Sequence, residues 1–263
     1  GPASRPAVTG QPGTPRPAAG SGTPGRRAAV SAHQGGSESA RPGTYQAYTG
    51  ALAAGAEYAE LDVRQCADGV LVACHSARRW LAPVNRLSYP RLCQLAGFEV
   101  PRAERLLTLL AGRAIAQLDL KDAASSHRLV ERALGLLGSD GFVVTTGDAG
   151  LIAGIKRRFP QVSAGLALGA DLPDTLREGL HRARRPARSR LDRVAACRAD
   201  WAVLHRRLAT PARLAGCRAR GLRTMVWTVN NDRALARWLA DPGVDVVVTD
   251  HPGRALALRE RLA

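Results

Sequence analysis

The stretch AELDV at 59–63 places two carboxylates, Glu60 and Asp62, two residues apart in an apolar run. Strand side chains alternate faces, so the two share one face about 6–7 Å apart, with Leu61 and Val63 on the other. Carboxylates that face an interior repel each other and lose hydration, and they need a cation or basic partners. Hard divalent ions favour carboxylate oxygens, which points to Mg2+ or Ca2+. Asp119 closes a second apolar run at 115–120, and Lys121 follows two residues later on the same face, adding a third carboxylate and a cation. His33 ends a run ahead of Gly35-Gly36, and His75 ends the run 70–75. Each feature alone has a plain reading. Glu-x-Asp also fits a solvated alternation or an ion pair, and a lone histidine also fits a hydrogen-bonded structural residue. The case for chemistry rests on their joint placement at successive strand ends.

The elements that must position these residues follow from periodicity. Short apolar runs at 29–33, 58–63, 115–120, 141–146, 163–168, 201–205, 224–229 and 244–249 read as strands. Between most of them, apolar residues at three- and four-residue spacing predict helices over 44–54, 103–111, 124–137, 147–158, 172–182, 210–219 and 231–240. Gly55, Gly221 and Gly243 fall near helix ends as stop signals. Strands alternating with such helices are parallel β/α units. Eight of them close a (β/α)8 TIM barrel, an α/β fold whose active sites lie at the C-terminal strand ends. The run 70–75 is then a small hairpin extension after the second strand, turning at Ala67-Asp68-Gly69. The competing open, doubly wound sheet lacks its G-x-G-x-x-G signature after the first strand.

Composition narrows the partners. Residues 1–28 are a Pro-, Gly-, Ala- and Arg-rich flexible tail, and 29–263 are expected to form a single domain. With 38 basic and 22 acidic residues the formal charge is +16, which suits an anionic substrate. Only Lys121 and Lys156 are lysines, so the arginine excess reads as compositional bias more than as a nucleic-acid face, and aromatics at 4% leave few stacking platforms. The arginine-rich segment 177–193 reads as a solvated surface, with phosphate or lipid headgroups as the other reading. Five cysteines without a C-x-x-C exclude a full disulfide framework. Cys66 and Cys74 flank the hairpin turn and could meet across it, with free thiols the plainer reading. No apolar stretch is long enough to span a membrane. The start Gly-Pro-Ala-Ser lacks Met and an apolar signal region and reads as trimmed, so both a cytoplasmic location and secretion with the signal removed are open expectations.

Read together, SAHQGG at 31–36, GAEYAELDVRQCADGVLVACH at 55–75, LDLK at 118–121, MVWTVNN at 225–231 and VVTDHP at 247–252 resemble the glycerophosphodiester phosphodiesterase family over about 29–255. At the site the chain is also similar to the sphingomyelinase D and phospholipase D toxins of spiders. The resemblance implies a TIM barrel with a divalent ion at its mouth, and cleavage of glycerophosphodiesters to a phosphomonoester and an alcohol. It implies catalytic roles for His33 and His75, ion binding by Glu60, Asp62 and Asp119, phosphate binding by Lys121, and a pocket lined by Trp227. Asn230, and Glu38 from the first loop, are candidate supports. Three positions depart from the family pattern. Gln34 replaces an arginine, Pro42-Gly43-Thr44 stands where the family has Glu-Asn-Thr, and Ser76 replaces an aspartate.

The chemistry implied is displacement at phosphorus. One histidine deprotonates the nucleophile and the other protonates the leaving alkoxide. The nucleophile is water or a neighbouring substrate hydroxyl, which would give a cyclic phosphate; the resemblance favours the hydroxyl. The expected partner is an anionic phosphodiester, as a small molecule or a lipid met at a membrane surface, and the expected state is a monomer without specific nucleic-acid binding. Two other readings stand beside this one. A barrel could hold a phosphodiester without cleaving it, as the three departures suggest, or a basic protein could bind nucleic acid.

Overall fold

Runs such as AVSA, FVVTT and VVVT carry apolar residues on both faces, so they belong in a sheet covered on both sides. The computed structural model describes residues 27–75, 82–169 and 190–262. Among the described residues, nine strands form one sheet: β1 (Ala29–Ala32), β2 (Tyr58–Gln65), β3 (Leu71–Ala73), β4 (Ile115–Leu120), β5 (Phe142–Thr146), β6 (Ala164–Leu168), β7 (Trp201–His205), β8 (Arg223–Trp227) and β9 (Val246–Thr249). Their order is β1-β9-β8-β7-β6-β5-β4-β2-β3, and β1 also pairs with β2, so eight parallel strands close into a barrel. The remaining strand, β3, runs antiparallel to the overhanging end of β2, with Val63 opposite Ala73.

Helices α1 (Tyr45–Ala54), α3 (Ala103–Leu110), α4 (Ala123–Leu137), α5 (Ala149–Arg158), α7 (Pro211–Arg218) and α8 (Asp232–Ala240) occupy six of the predicted segments. Three more were not anticipated: α2 (Tyr89–Ala96), α6 (Arg190–Ala196) and α9 (Pro252–Arg261). In α2 and α9 a proline that reads as a breaker sits in the first turn, where its missing N–H costs nothing. The helix expected over 172–182, the tail to residue 26, most of 177–193, and Ser76 lie outside the described residues.

Alternation sorts the strand residues into two layers. Leu61, Leu118, Val144, Leu166, Leu204, Val226 and Val247 point outward and pack beneath the helices. Each is fully buried, and a Leu or Val so buried contributes roughly 1.5–3 kcal/mol. Tyr58, Val143, Trp201, Val203, Met225, Val246 and Val248 form a separate cluster inside the barrel. A third, smaller cluster around Val72, Val84, Tyr89, Leu92 and Val100 holds the hairpin and α2 together.

The hairpin register decides between the two readings of Cys66 and Cys74 in favour of the plainer one, free thiols. The Cys66 N–H bonds to the Val70 carbonyl, whereas the Cys74 N–H bonds to that of Asp62, so the two cysteines lie at opposite ends of the ladder. All five cysteines are free thiols.

Candidate active site

Strand register brings the acidic residues together. β2 and β4 are neighbours, with Glu60 opposite Gln117 and Asp62 opposite Asp119. The carboxylates of Glu60, Asp62 and Asp119 each offer an oxygen within 4.8 Å of the others. They line a cavity of about 580 Å³ at the C-terminal end of the barrel, together with His33, His75, Lys121 and Trp227. All six charged residues singled out in the sequence as catalytic, ion-binding or phosphate-binding therefore share one cavity.

Asp62, Asp119 and Lys121 compensate one another. Lys121 Nζ lies 2.9 Å from Asp62 Oδ1 and 2.5 Å from Asp119 Oδ2. The other Asp62 oxygen is 2.7 Å from His75 Nδ1. Burial pushes the Asp62 carboxyl up, but the bonds to His75 and Lys121 win and hold it at about 2. Burial works against the charge on Lys121, and the carboxylates of Asp119 and Asp62 overcome it and raise its pKa. Asp119 stays raised by burial and by Asp62, despite Lys121 and a long bond from Thr145.

Glu60 is treated differently. It is buried, with the backbone N–H of Gln34 donating to Oε2 at 3.0 Å. Burial and the neighbouring Asp62 push its pKa to about 8. A buried carboxylate that holds its proton for want of positive charge, beside two more carboxylates, is a donor set suited to a hard divalent cation. The residues present fit such an ion, which would be held by Glu60, Asp62 and Asp119.

His33 sits in a 3-10 turn directly after β1 (residues His33–Gly35). Its Nδ1 is 2.6 Å from Asp250 Oδ1, and its ring centroid lies 6.3 Å from that of His75. Burial lowers its pKa, but the bond to Asp250 and the field of Glu60 prevail and raise it to about 9. The same bond depresses the Asp250 carboxyl. Both histidines thus engage Nδ1 with a carboxylate, and His33 Nε2 faces the Gln34 side-chain amide.

Asp250 is the functional residue that sequence reasoning passed over. Its signal was modest, a carboxylate just past the last strand. Asn230 fixes it, donating from Nδ2 to Asp250 Oδ2 at 2.6 Å and accepting from the Asp250 N–H at 3.0 Å. Asn230 therefore acts on the site through Asp250. Glu38 does not join the acidic cluster. Its carboxylate accepts the N–H groups of Gly253 and Arg254 at the start of α9, where a negative charge complements the helix dipole. Gln34, at a left-handed φ of 50°, places its side-chain nitrogen 3.4 Å from His33 Nε2. Across the cavity, Trp227 donates from Nε1 to the Val203 carbonyl at 3.2 Å and meets the His205 ring edge-on at 5.4 Å.

The sequence pattern of the glycerophosphoryl diester phosphodiesterase family matches residues 33–88 and 173–254, more than half of the chain. No curated protein matches. Among solved structures, a candidate glycerophosphoryl diester phosphodiesterase from Silicibacter pomeroyi is 23% identical over 92% of this chain and 95% of its own, with a TM-score of 0.77. The glycerophosphodiester phosphodiesterase of Thermotoga maritima is 18% identical over 89% and 99%, with a TM-score of 0.70. An Oleispira antarctica phosphodiesterase, solved with the product sn-glycerol-3-phosphate, is 16% identical over 89% and 97%, with a TM-score of 0.71. At these identities the structures speak for the barrel, and the family pattern speaks for the chemistry. The chain belongs to the glycerophosphoryl diester phosphodiesterase family and is a phosphoric diester hydrolase of glycerophosphodiester-type substrates.

Proposed function

We propose that His33 and His75 carry the proton transfers, that Glu60, Asp62 and Asp119 hold one Mg2+ or Ca2+, and that Lys121 binds the substrate phosphate. The observation that carries this reading is the convergence of two carboxylate-backed imidazoles and three clustered carboxylates in one cavity. When bound, the ion would supply Lewis-acid stabilisation of charge on the non-bridging phosphate oxygens.

The chain's own groups divide the remaining work. Lys121 is a fixed cation beside Asp119 and Asp62, from which its ammonium can also donate to a phosphate oxygen. His75 takes the proton of the nucleophile, its Nδ1 side anchored on Asp62. His33, kept protonated by Asp250, gives its proton to the departing alkoxide as the bond from phosphorus to that oxygen breaks. With a glycerol ester the nucleophile is the neighbouring hydroxyl, which gains from proximity and yields a cyclic phosphate before hydrolysis. Trp227 lines the substrate pocket, and Gln34, expected there too, is not among the lining residues but stands beside His33. Residues 29–263 work as one catalytic domain on a small or lipid-like anionic diester. Among the described residues, no helix is long and apolar enough to cross a membrane.

Phosphorus NMR of the reaction tests the nucleophile: a transient cyclic phosphate is expected, and direct release of the phosphomonoester would assign water instead. The Asp250→Asn variant tests the acid. Without the carboxylate the pKa of His33 falls, so the alkaline limb of kcat against pH should move to lower pH. An unmoved limb would remove His33 from that role.

A further inference from the structure

His75 stands just beyond the hairpin ladder. β3 has three residues, and His75 lies two positions past its end with a side chain 59% exposed. Asp62 holds its Nδ1 at 2.7 Å, and the ladder ends at the Cys74 N–H, which bonds to the Asp62 carbonyl, so the Cys74 and His75 carbonyls lie past it. One side chain reaches beyond the ladder. Arg64 donates from Nε to the Cys74 carbonyl at 3.1 Å and from a terminal nitrogen to the His75 carbonyl at 3.3 Å. Its other terminal nitrogen lies 3.6 Å from Asp122 Oδ1, while Asp122 Oδ2 accepts the N–H of Gln65 at 3.0 Å. The Arg64 side chain is 15% exposed. Asp122 directly follows Lys121 in the chain.

A guanidinium is a rigid planar fork of donors. Spent on two consecutive carbonyls, it fixes the peptide plane between Cys74 and His75, and with it the direction in which the His75 side chain leaves the backbone. A plain strand salt bridge would not need those carbonyls. We propose that Arg64, backed by Asp122, is a positioning residue that aims His75 at the reacting phosphate and ties the hairpin to the strand end bearing Lys121. The inference rests on the reading of His75 as a proton-transfer group.

A double-mutant cycle on the full chain tests it, with saturating Mg2+ or Ca2+ and glycerophosphocholine as the probe substrate. Arg64→Ala is expected to lower kcat by about 10- to 100-fold, the scale of a misplaced catalytic group, with KM and ion affinity nearly unchanged. Arg64→Lys, which keeps one donor, recovers part of the rate. Arg64→Ala added to His75→Ala lowers kcat no further, because the arginine acts on the chemistry through that ring. In nitrogen NMR the His75 Nδ1–H signal shifts or broadens in Arg64→Ala. Wild-type kcat in Arg64→Ala, or losses that add in full in the double variant, would overturn the proposal. If Arg64→Ala fails to fold, Arg64→Lys and Asp122→Asn carry the test, and unchanged kcat in both overturns it. Wild-type turnover in His75→Ala would instead sink the catalytic reading of His75, and the NMR signal would still report whether Arg64 positions the ring.

Discussion

The barrel interior has two halves built on one alternating pattern. Toward the mouth, β1, β2 and β4 point Ser31, Glu60, Asp62, Gln117 and Asp119 inward; β7, β8 and β9 point in Trp201, Val203, Met225, Val246 and Val248, which Tyr58 of β2 joins. Both halves are almost entirely buried. The apolar half gains from burial as any core does. The polar half loses hydration and must recover it from partners: Ser31 donates to Gln117 at 2.8 Å, Lys121 bridges two aspartates, and Glu60 remains protonated to pH about 8. The difference teaches that the two halves answer to separate demands, packing in one and charge in the other, so substitutions should separate stability from chemistry.

The largest effect expected is in the polar half. Asp62→Ala removes an ion ligand and the partner of both His75 and Lys121, and should abolish ion binding and turnover together, as calorimetry and a rate assay would record. His33→Ala and His75→Ala should each lower kcat by roughly 10²–10⁴-fold, with ion affinity largely retained. Loss of ion binding in either histidine variant would blur the division between holding the ion and moving protons. In the apolar half, Met225→Ala should cost about 2–5 kcal/mol in a denaturant titration and leave ion affinity unchanged.

The halves also differ in their response to pH. The Glu60 pKa is raised from 4.5 to about 8, so the ion-free folded state holds a proton that the unfolded state has lost between those values. Stability from this group is full below pH 4.5 and is lost as pH rises through about 8. His33, raised from 6.5 to about 9, acts in the same direction over its own window. Asp62 opposes them at the acid end, since its contribution is present above 3.8 and lost as pH falls through about 2. Glu60→Gln should flatten the ion-free stability curve between pH 5 and 8, the smallest of these effects and one read by thermal melts in EDTA. In the wild type, affinity for Mg2+ or Ca2+ should fall as pH drops below about 8, because the ion must displace the Glu60 proton.

Much of this was legible in the sequence because local patterns carried it. The Glu-x-Asp and Asp-x-Lys spacings placed charges on inward faces, and strand length and alternation fixed the barrel. What escaped was long-range or disguised. The partner of Asp250 is His33, 217 residues away, and no spacing rule joins them. Arg64 gave no signal, because its bonds go to the backbone carbonyls of Cys74 and His75, which leave no mark on residue type. Glu38 looked available as a ligand because the start of α9, which it caps, was hidden behind Pro252. Cys66 and Cys74 looked like neighbours across a turn until the register placed them at opposite ends of the ladder.

The central claim is that the polar half of the barrel holds a divalent ion on which diester cleavage depends. The most direct test is hydrolysis of a phosphodiester panel, from glycerophosphocholine to lysophospholipids, in EDTA and after readdition of Mg2+ or Ca2+, followed by phosphorus NMR. The account predicts turnover that EDTA removes and the ion restores, with Asp62→Ala silent throughout. Turnover indifferent to EDTA, or an ion that binds tightly while every diester stays intact, would contradict it.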